Sequence, residues 1–438
     1  MAGIPDKDLQ TQASFPAGVN NVAPLTRPPR DQDGNITVLR SALDVDLDAT
    51  GRPRMRRGQT TRVAESSHSL FATTDYLFAN VAGNLRAYTD DGAGLADAGA
   101  IVSGLGDRFI TYASDDLDTY WSNNVTNGRI DADLGVHPFW LATPDPVTLA
   151  ATSNGGLAAG SYEVSVTVLD ADGRESGASA PVVIAVTAGQ GITCTLPTAP
   201  TDATAWRVYR TTADGDVLYR CADLPITATS TPLAYATLGE PLETAWLFPL
   251  LPVHTLRYGH GRLVGLTSGS VVWSEPHRLG LMADANHLGL LDGRMLEPVG
   301  EGSDAPGWFA SDFKRTYFFA GADPDKWQQR IVYGHPAVPG TSMTLPGSVF
   351  GLQDVSQVAL WLSGNGVWCL GLPGGIVQPI REGELAMQVD AERGASGYFE
   401  FDGIRQLITS MLGGVTSGLN VAASDSASAT VRRNGITL

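Results

Sequence analysis

A chain of 438 residues with 50 Gly, 26 Pro and only 17% charged residues is long enough to bury a large core and to hold two or three domains. Its formal charge of -17, from 46 acidic and 29 basic residues, excludes unspecific adhesion to DNA or to anionic lipid. The three cysteines, Cys194, Cys221 and Cys369, are too widely spaced for a zinc motif or a disulfide framework, and no run of about 18 apolar residues reads as a membrane span.

The opening MAGIPDKDLQTQ has neither the basic start nor the apolar run of a secretion signal, so synthesis in the cytoplasm is expected. Residues 1–35 carry Pro16, Pro24, Pro28 and Pro29 and no periodic pattern. This predicts an extended arm that lies over its own domain or a neighbour. From Ile36 the text becomes strand, turn, strand: Leu43, Val45 and Leu47 alternate with Asp44, Asp46 and Asp48 before a turn at Thr50-Gly51. Arg52, Arg54, Arg56 and Arg57 return beside the aspartates, so cross-strand charge pairing is the expected role of both sets. A calcium loop fits less well, because the glycine falls at the eighth position and no closing Glu follows. Docking of a partner on the Arg run is the other reading of these residues.

A hairpin with two apolar or aromatic halves then recurs. It begins at Ser69, Arg108, Arg262, Gly307, Ala359 and Ser396, as in RLVGLTSGSVVWSEP and GWFASDFKRTYFFAGADP. Once an insertion is removed the starts lie roughly 40 to 50 residues apart, the period of four-stranded propeller blades. The expected fold class is all-β, a β-propeller of five to seven blades. The interval from Arg108 to Arg262 is about 105 residues too long for one blade. Its excess, 144–252, alternates Tyr162, Val164, Val166 and Val168, turns at Asp172-Gly173 and resumes after Pro181. It predicts an inserted β-sandwich of immunoglobulin or fibronectin type III-like kind, with Trp206 and Tyr209 on its core side. The expected order is an arm over 1–35, propeller over 36–143, sandwich over 144–252 and propeller over 253–438.

Few residues point to chemistry. Gly92-Ala93-Gly94 with Gly99 lacks the strand-to-helix context of a dinucleotide site, and His254 and His260 lack further metal ligands nearby. Asp115 with Asp116, or Glu275 near His277, would suit a propeller glycosidase if two carboxyl groups faced each other across a pocket. Aspartates in turns have a simpler use, since they bond their own backbone. No catalytic residue, cofactor or metal is expected. A carbohydrate-active propeller with an accessory sandwich is the alternative reading.

Four segments in order, GVNNVAPLTRPP, RSALDVDLDATGRPRMRRG, HGRLVGLTSGSVVWSEP and SGLNVAASDSASATVRRNGITL, resemble the tail nozzle and packaged-DNA-stabilisation (tail accessory) proteins of tailed bacteriophages. SYEVSVTVLDADGRESGASAP resembles the fibronectin-like modules of such virion proteins. The resemblance implies a structural virion protein that forms a ring, commonly a hexamer, at the distal end of the tail channel. Its partners would be copies of itself, a tail adaptor or tube protein, and fibres or spikes. Genome DNA would pass through the lumen without sequence-specific binding, and an acidic lumen would repel the phosphates and let the duplex slide. Assembly would occur in the host cytoplasm.

Overall fold

The computed structural model describes residues 28–38, 45–47, 52–55, 63–90, 94–115, 117–234, 237–303, 305–380, 387–401, 404–417 and 436–437. By compactness the chain divides into two units, Arg62–Leu290 in one, and Met1–Thr61 with Leu291–Leu438 in the other. Among the described residues there is no α-helix, so none is long and apolar enough to cross a membrane.

Strands β1 (Val45–Leu47) and β2 (Pro53–Met55) form a two-stranded ladder. In the unit Arg62–Leu290 the first blade is the meander β3 (Ser67–Ala72), β4 (Leu77–Val81), β5 (Asn84–Asp90) and β6 (Leu95–Val102). The second is β7 (Thr111–Ser114), β8 (Thr119–Ser122), β9 (Asn127–Ile130) and β10 (Val136–His137). Each is a four-stranded antiparallel sheet in chain order, the repeating unit of a propeller.

The blade series then stops for seven strands. β11 (Thr148–Thr152), β14 (Gly191–Thr195) and β17 (Ser230–Leu233) make one sheet. The other orders β13 (Val182–Val186), β12 (Gly160–Leu169), β15 (Ala205–Arg210) and β16 (Tyr219–Pro225). Both sheets share one apolar cluster, in which Tyr162, Val164, Val166 and Val168 of β12 meet Ile192 and Cys194 of β14. Trp206 and Val208 join that core, but Tyr209 does not. It has the parity of Arg207 and turns to the opposite face, where its hydroxyl donates to Glu175 at 2.6 Å. A strand alternates its faces at every residue, so Trp206 and Tyr209, three apart, cannot share one.

After β18 (Leu247–Pro249) the third blade follows: β19 (Thr255–Gly259), β20 (Arg262–Leu266), β21 (Ser270–Trp273) and β23 (His287–Gly289), while β22 (Leu281–Ala283) pairs with β18. The β19–β20 turn places His260 and Gly261 at φ 51° and 72°, the twist that a two-residue hairpin loop requires. Polar side chains tie the blades of this unit together. Ser122 Oγ donates to the Val253 carbonyl and accepts from its amide, both at 2.8 Å, and Asn80 Nδ2 donates to the carbonyls of Gly106 and Arg108.

In the other unit the fourth blade is β24 (Met295–Val299), β25 (Gly307–Ser311), β26 (Thr316–Ala320) and β27 (Gln328–Tyr333). The fifth is β28 (Met343–Pro346), β29 (Gln357–Leu362), β30 (Trp368–Leu372) and β31 (Ile376–Ile380). Phe309, Phe318 and Trp361 pack between them. The sixth expected hairpin is not a blade. It is a ribbon of β32 (Met387–Phe401) and β33 (Ile404–Ser417), 15 and 14 residues long, with β34 (Ile436–Thr437) at its side. Val389, Ala391 and Leu407 settle its inner face on the core of the fifth blade.

Candidate functional site

The ladder β1–β2 sets Asp46 opposite Arg54, the backbone placement that a cross-strand charge pair needs. Arg52 is exposed just before β2. Asp44, Asp48, Arg56 and Arg57 lie outside the described residues, as do Gly92, Ala93 and Asp116.

Most other sequence candidates are occupied in turns. Asp115 Oδ1 accepts the amides of Leu117 and Asp118 at 3.0 and 2.7 Å, which closes the β7–β8 hairpin. Glu275 accepts from Asn286 Nδ2 at 2.8 Å, and the neighbouring His277 holds a left-handed turn at φ 59°. His254 contacts Thr255 Oγ1 and the Thr267 carbonyl at 3.1 and 3.2 Å. No group of three or more His, Cys, Asp or Glu residues is arranged to hold a metal among the described residues. A further polar chain escaped sequence reading: His68 lies 2.8 Å from Ser69 Oγ and 3.1 Å from Asp107. Ser69 Oγ also accepts the Ile110 amide at 2.9 Å, and the Asp107 side chain is 94% exposed. The chain therefore fastens β3 to the start of the second blade.

The densest polar constellation lies where the second blade meets the two-sheet domain. Asp118, at the start of β8, directs Oδ1 to Arg129 Nη1 of β9 at 3.1 Å and Oδ2 to Arg174 Nη2 at 2.6 Å. Arg174 follows the turn that ends β12. There Asp170 Oδ1 accepts the amides of Asp172 and Arg174 at 2.9 and 2.8 Å, leaving Oδ2 3.7 Å from Arg129 and 3.5 Å from Arg174. Asp172 pairs with Arg174 at 2.8 Å. The side chains of Asp118 and Arg129 are only 3% and 6% exposed. Burial pushes the Asp118 carboxyl above its ordinary range, and the two guanidinium groups only partly offset that push.

Beside this node is a cleft of about 230 Å³ bounded by His137, Trp140 and Asp202. His137 Nε2 lies 2.8 Å from Asp131, and Nδ1 lies 3.8 Å from Asp202 of the two-sheet domain. Burial raises Asp131, but bonds from His137, Gly135 and Asp133 outweigh it and hold this carboxyl below its ordinary range. Trp140 donates Nε1 to the Glu175 carbonyl at 2.9 Å, and Trp140, Leu141 and Leu281 belong to the same apolar cluster as the two sheets. The arrangement consumes its own charges. Its capacity is mechanical, the fixing of one domain on another, since every carboxylate of the node already has a guanidinium partner.

The thiols fit the same picture. Cys194 and Cys221 are free and belong to or flank the shared core. Burial pushes Cys194 up to about 12 and Cys221 to about 11. Thiolate is the reactive form, so at about pH 8 a thiol-reactive dye should leave both, and the buried Cys369, unmodified in the native chain and titrate all three in denaturant. Rapid native modification of Cys194 or Cys221 would contradict the closed core.

No family model and no curated protein matches the sequence. Among solved structures, one of a streptogramin B lyase is similar over 79% of this chain and 92% of that one, at 10% identity and a TM-score of 0.31. The N-terminal domain of Nup159 is similar over 79% and 73%, at 9% identity and a TM-score of 0.26. Scores this low carry no activity across. The sheet topology itself defines the class, an all-β protein built on propeller blades. Within that class, this chain interrupts its blades after the second with a two-sheet domain and follows the fifth with a long ribbon.

Proposed function

We propose that this chain is a structural virion protein of a bacteriophage tail, a ring subunit that closes the tail channel and conducts DNA on ejection. The observation that carries the reading is where the family-like text falls. HGRLVGLTSGSVVWSEP runs through β20 and β21, the paired middle strands of the third blade. SYEVSVTVLDADGRESGASAP runs through β12 and the turn that supplies Arg174. The two-sheet domain is then a fibronectin type III-like module, inserted between blades and offered to fibres, spikes or the host surface. The charge of -17 suits a conduit that must not retain the duplex.

Light scattering on the purified chain, alone and mixed with a phage tail adaptor protein, tests the assignment. A mass near a hexamer is expected. A monomer at every concentration under both conditions would remove the ring, and a strongly basic lumen in the assembled particle would remove the electrostatic account.

A further inference from the structure

We propose that Asp118, Arg129 and Arg174 form a positional clamp, which sets the attitude of the two-sheet domain on the second blade and makes it a rigid extension instead of a hinged one. Domains joined through linkers move by default unless their interface is extensive and apolar. Here the chain leaves the second blade for the two-sheet domain after Leu141 and returns at β18, ahead of the third blade, and some apolar contact is present through Trp140, Leu141 and Leu281. Apolar side chains tolerate sliding. Charged hydrogen bonds with the planar guanidinium fork do not, because their strength falls with angle as well as distance.

The contacts are arranged for such a role. Asp118 takes one guanidinium from its own blade and one from the other domain, a carboxylate bridging a sequence separation of 56 residues. Asp170 is held by two backbone amides before it meets either arginine, so its unengaged oxygen has a fixed direction. The energetic sign agrees. Burial raises the Asp118 carboxyl despite both partners, so ionising it costs the folded state some stability. Buried charge clusters of this kind can often be replaced by apolar residues without loss, which leaves geometric specificity as their contribution.

The test is a distance distribution in the full-length chain, read by double electron–electron resonance. Spin labels on unnatural amino acids would be placed at Val125, in the exposed β8–β9 turn, and at Ala188, in the exposed turn after β13. In the wild type the distribution should be narrow. In the triple variant Asp118→Leu, Arg129→Met, Arg174→Met, which leaves Asp170 held by its two backbone amides, it should roughly double in width. Asp118→Asn, isosteric and uncharged, should broaden it to a smaller extent, and decides alone if the triple variant does not fold. Distributions as narrow as the wild type in the folded variants would overturn the clamp and assign the attitude to the apolar contacts.

Discussion

Replacement of Trp206 by alanine is expected to cost about 3–5 kcal/mol of stability. Trp206 is 1% exposed and stands in the core shared by the two sheets. It sits opposite Val168 on one side of the ladder and Leu224 on the other, and its Nε1 donates to the Ile226 carbonyl at 3.2 Å. Alanine would remove the indole from both strand partners and orphan that carbonyl. Collapse around the gap is opposed by the pleat, which fixes the spacing of β12, β15 and β16. Scanning calorimetry should show an earlier transition for this variant, and a cost under about 1 kcal/mol would mean that the sheets do not enclose a common core.

Arg129→Met is expected to cost about 3–5 kcal/mol at neutral pH, because it leaves Asp118 buried with one partner in place of two. Much of that loss should return on acidification. A carboxyl raised above its ordinary value of 3.8 contributes stability that is fully present below that value and lost as pH rises through the folded-state value. Removing Arg129 takes away a group that lowers this carboxyl, so the rise becomes larger. The variant should therefore lose stability with rising pH across a wider window above the ordinary carboxylate range than the wild type does. Urea melts at several pH values measure this directly, and a pH-independent difference between the two proteins would contradict it.

The middle strands of the blades were legible in the sequence because they are buried on both faces. GWFAS of β25 is buried at every position, so its text is a continuous apolar run that needs no alternation to be noticed. Outer strands such as β27, with four exposed residues in QQRIVY, leave no comparable trace. A different signal misled at Ser396: SGYFEF and the strand that follows alternate well, but alternation reports one buried face and not how many strands share the sheet. Tyr209 was misassigned to the core for a related reason, since an aromatic ring can be buried on the outer face when Glu175 and Arg207 cover it. The clamp had no local signature. Asp118 and Arg129 belong to one blade and Arg174 to a turn two strands further on, and only the folded chain brings their charges together.

Trp140, Leu141 and Leu281 belong to the blade side of the joint yet share the apolar cluster of the two-sheet domain. Excising residues 144–252 would bare these side chains and strip Asp118 and Arg129 of Arg174, Asp170 and Asp172. The domain is thus not a cassette that recombination can exchange at its two crossing points. Any lineage that acquires or loses it must remake the socket as well, so socket and domain should be inherited together.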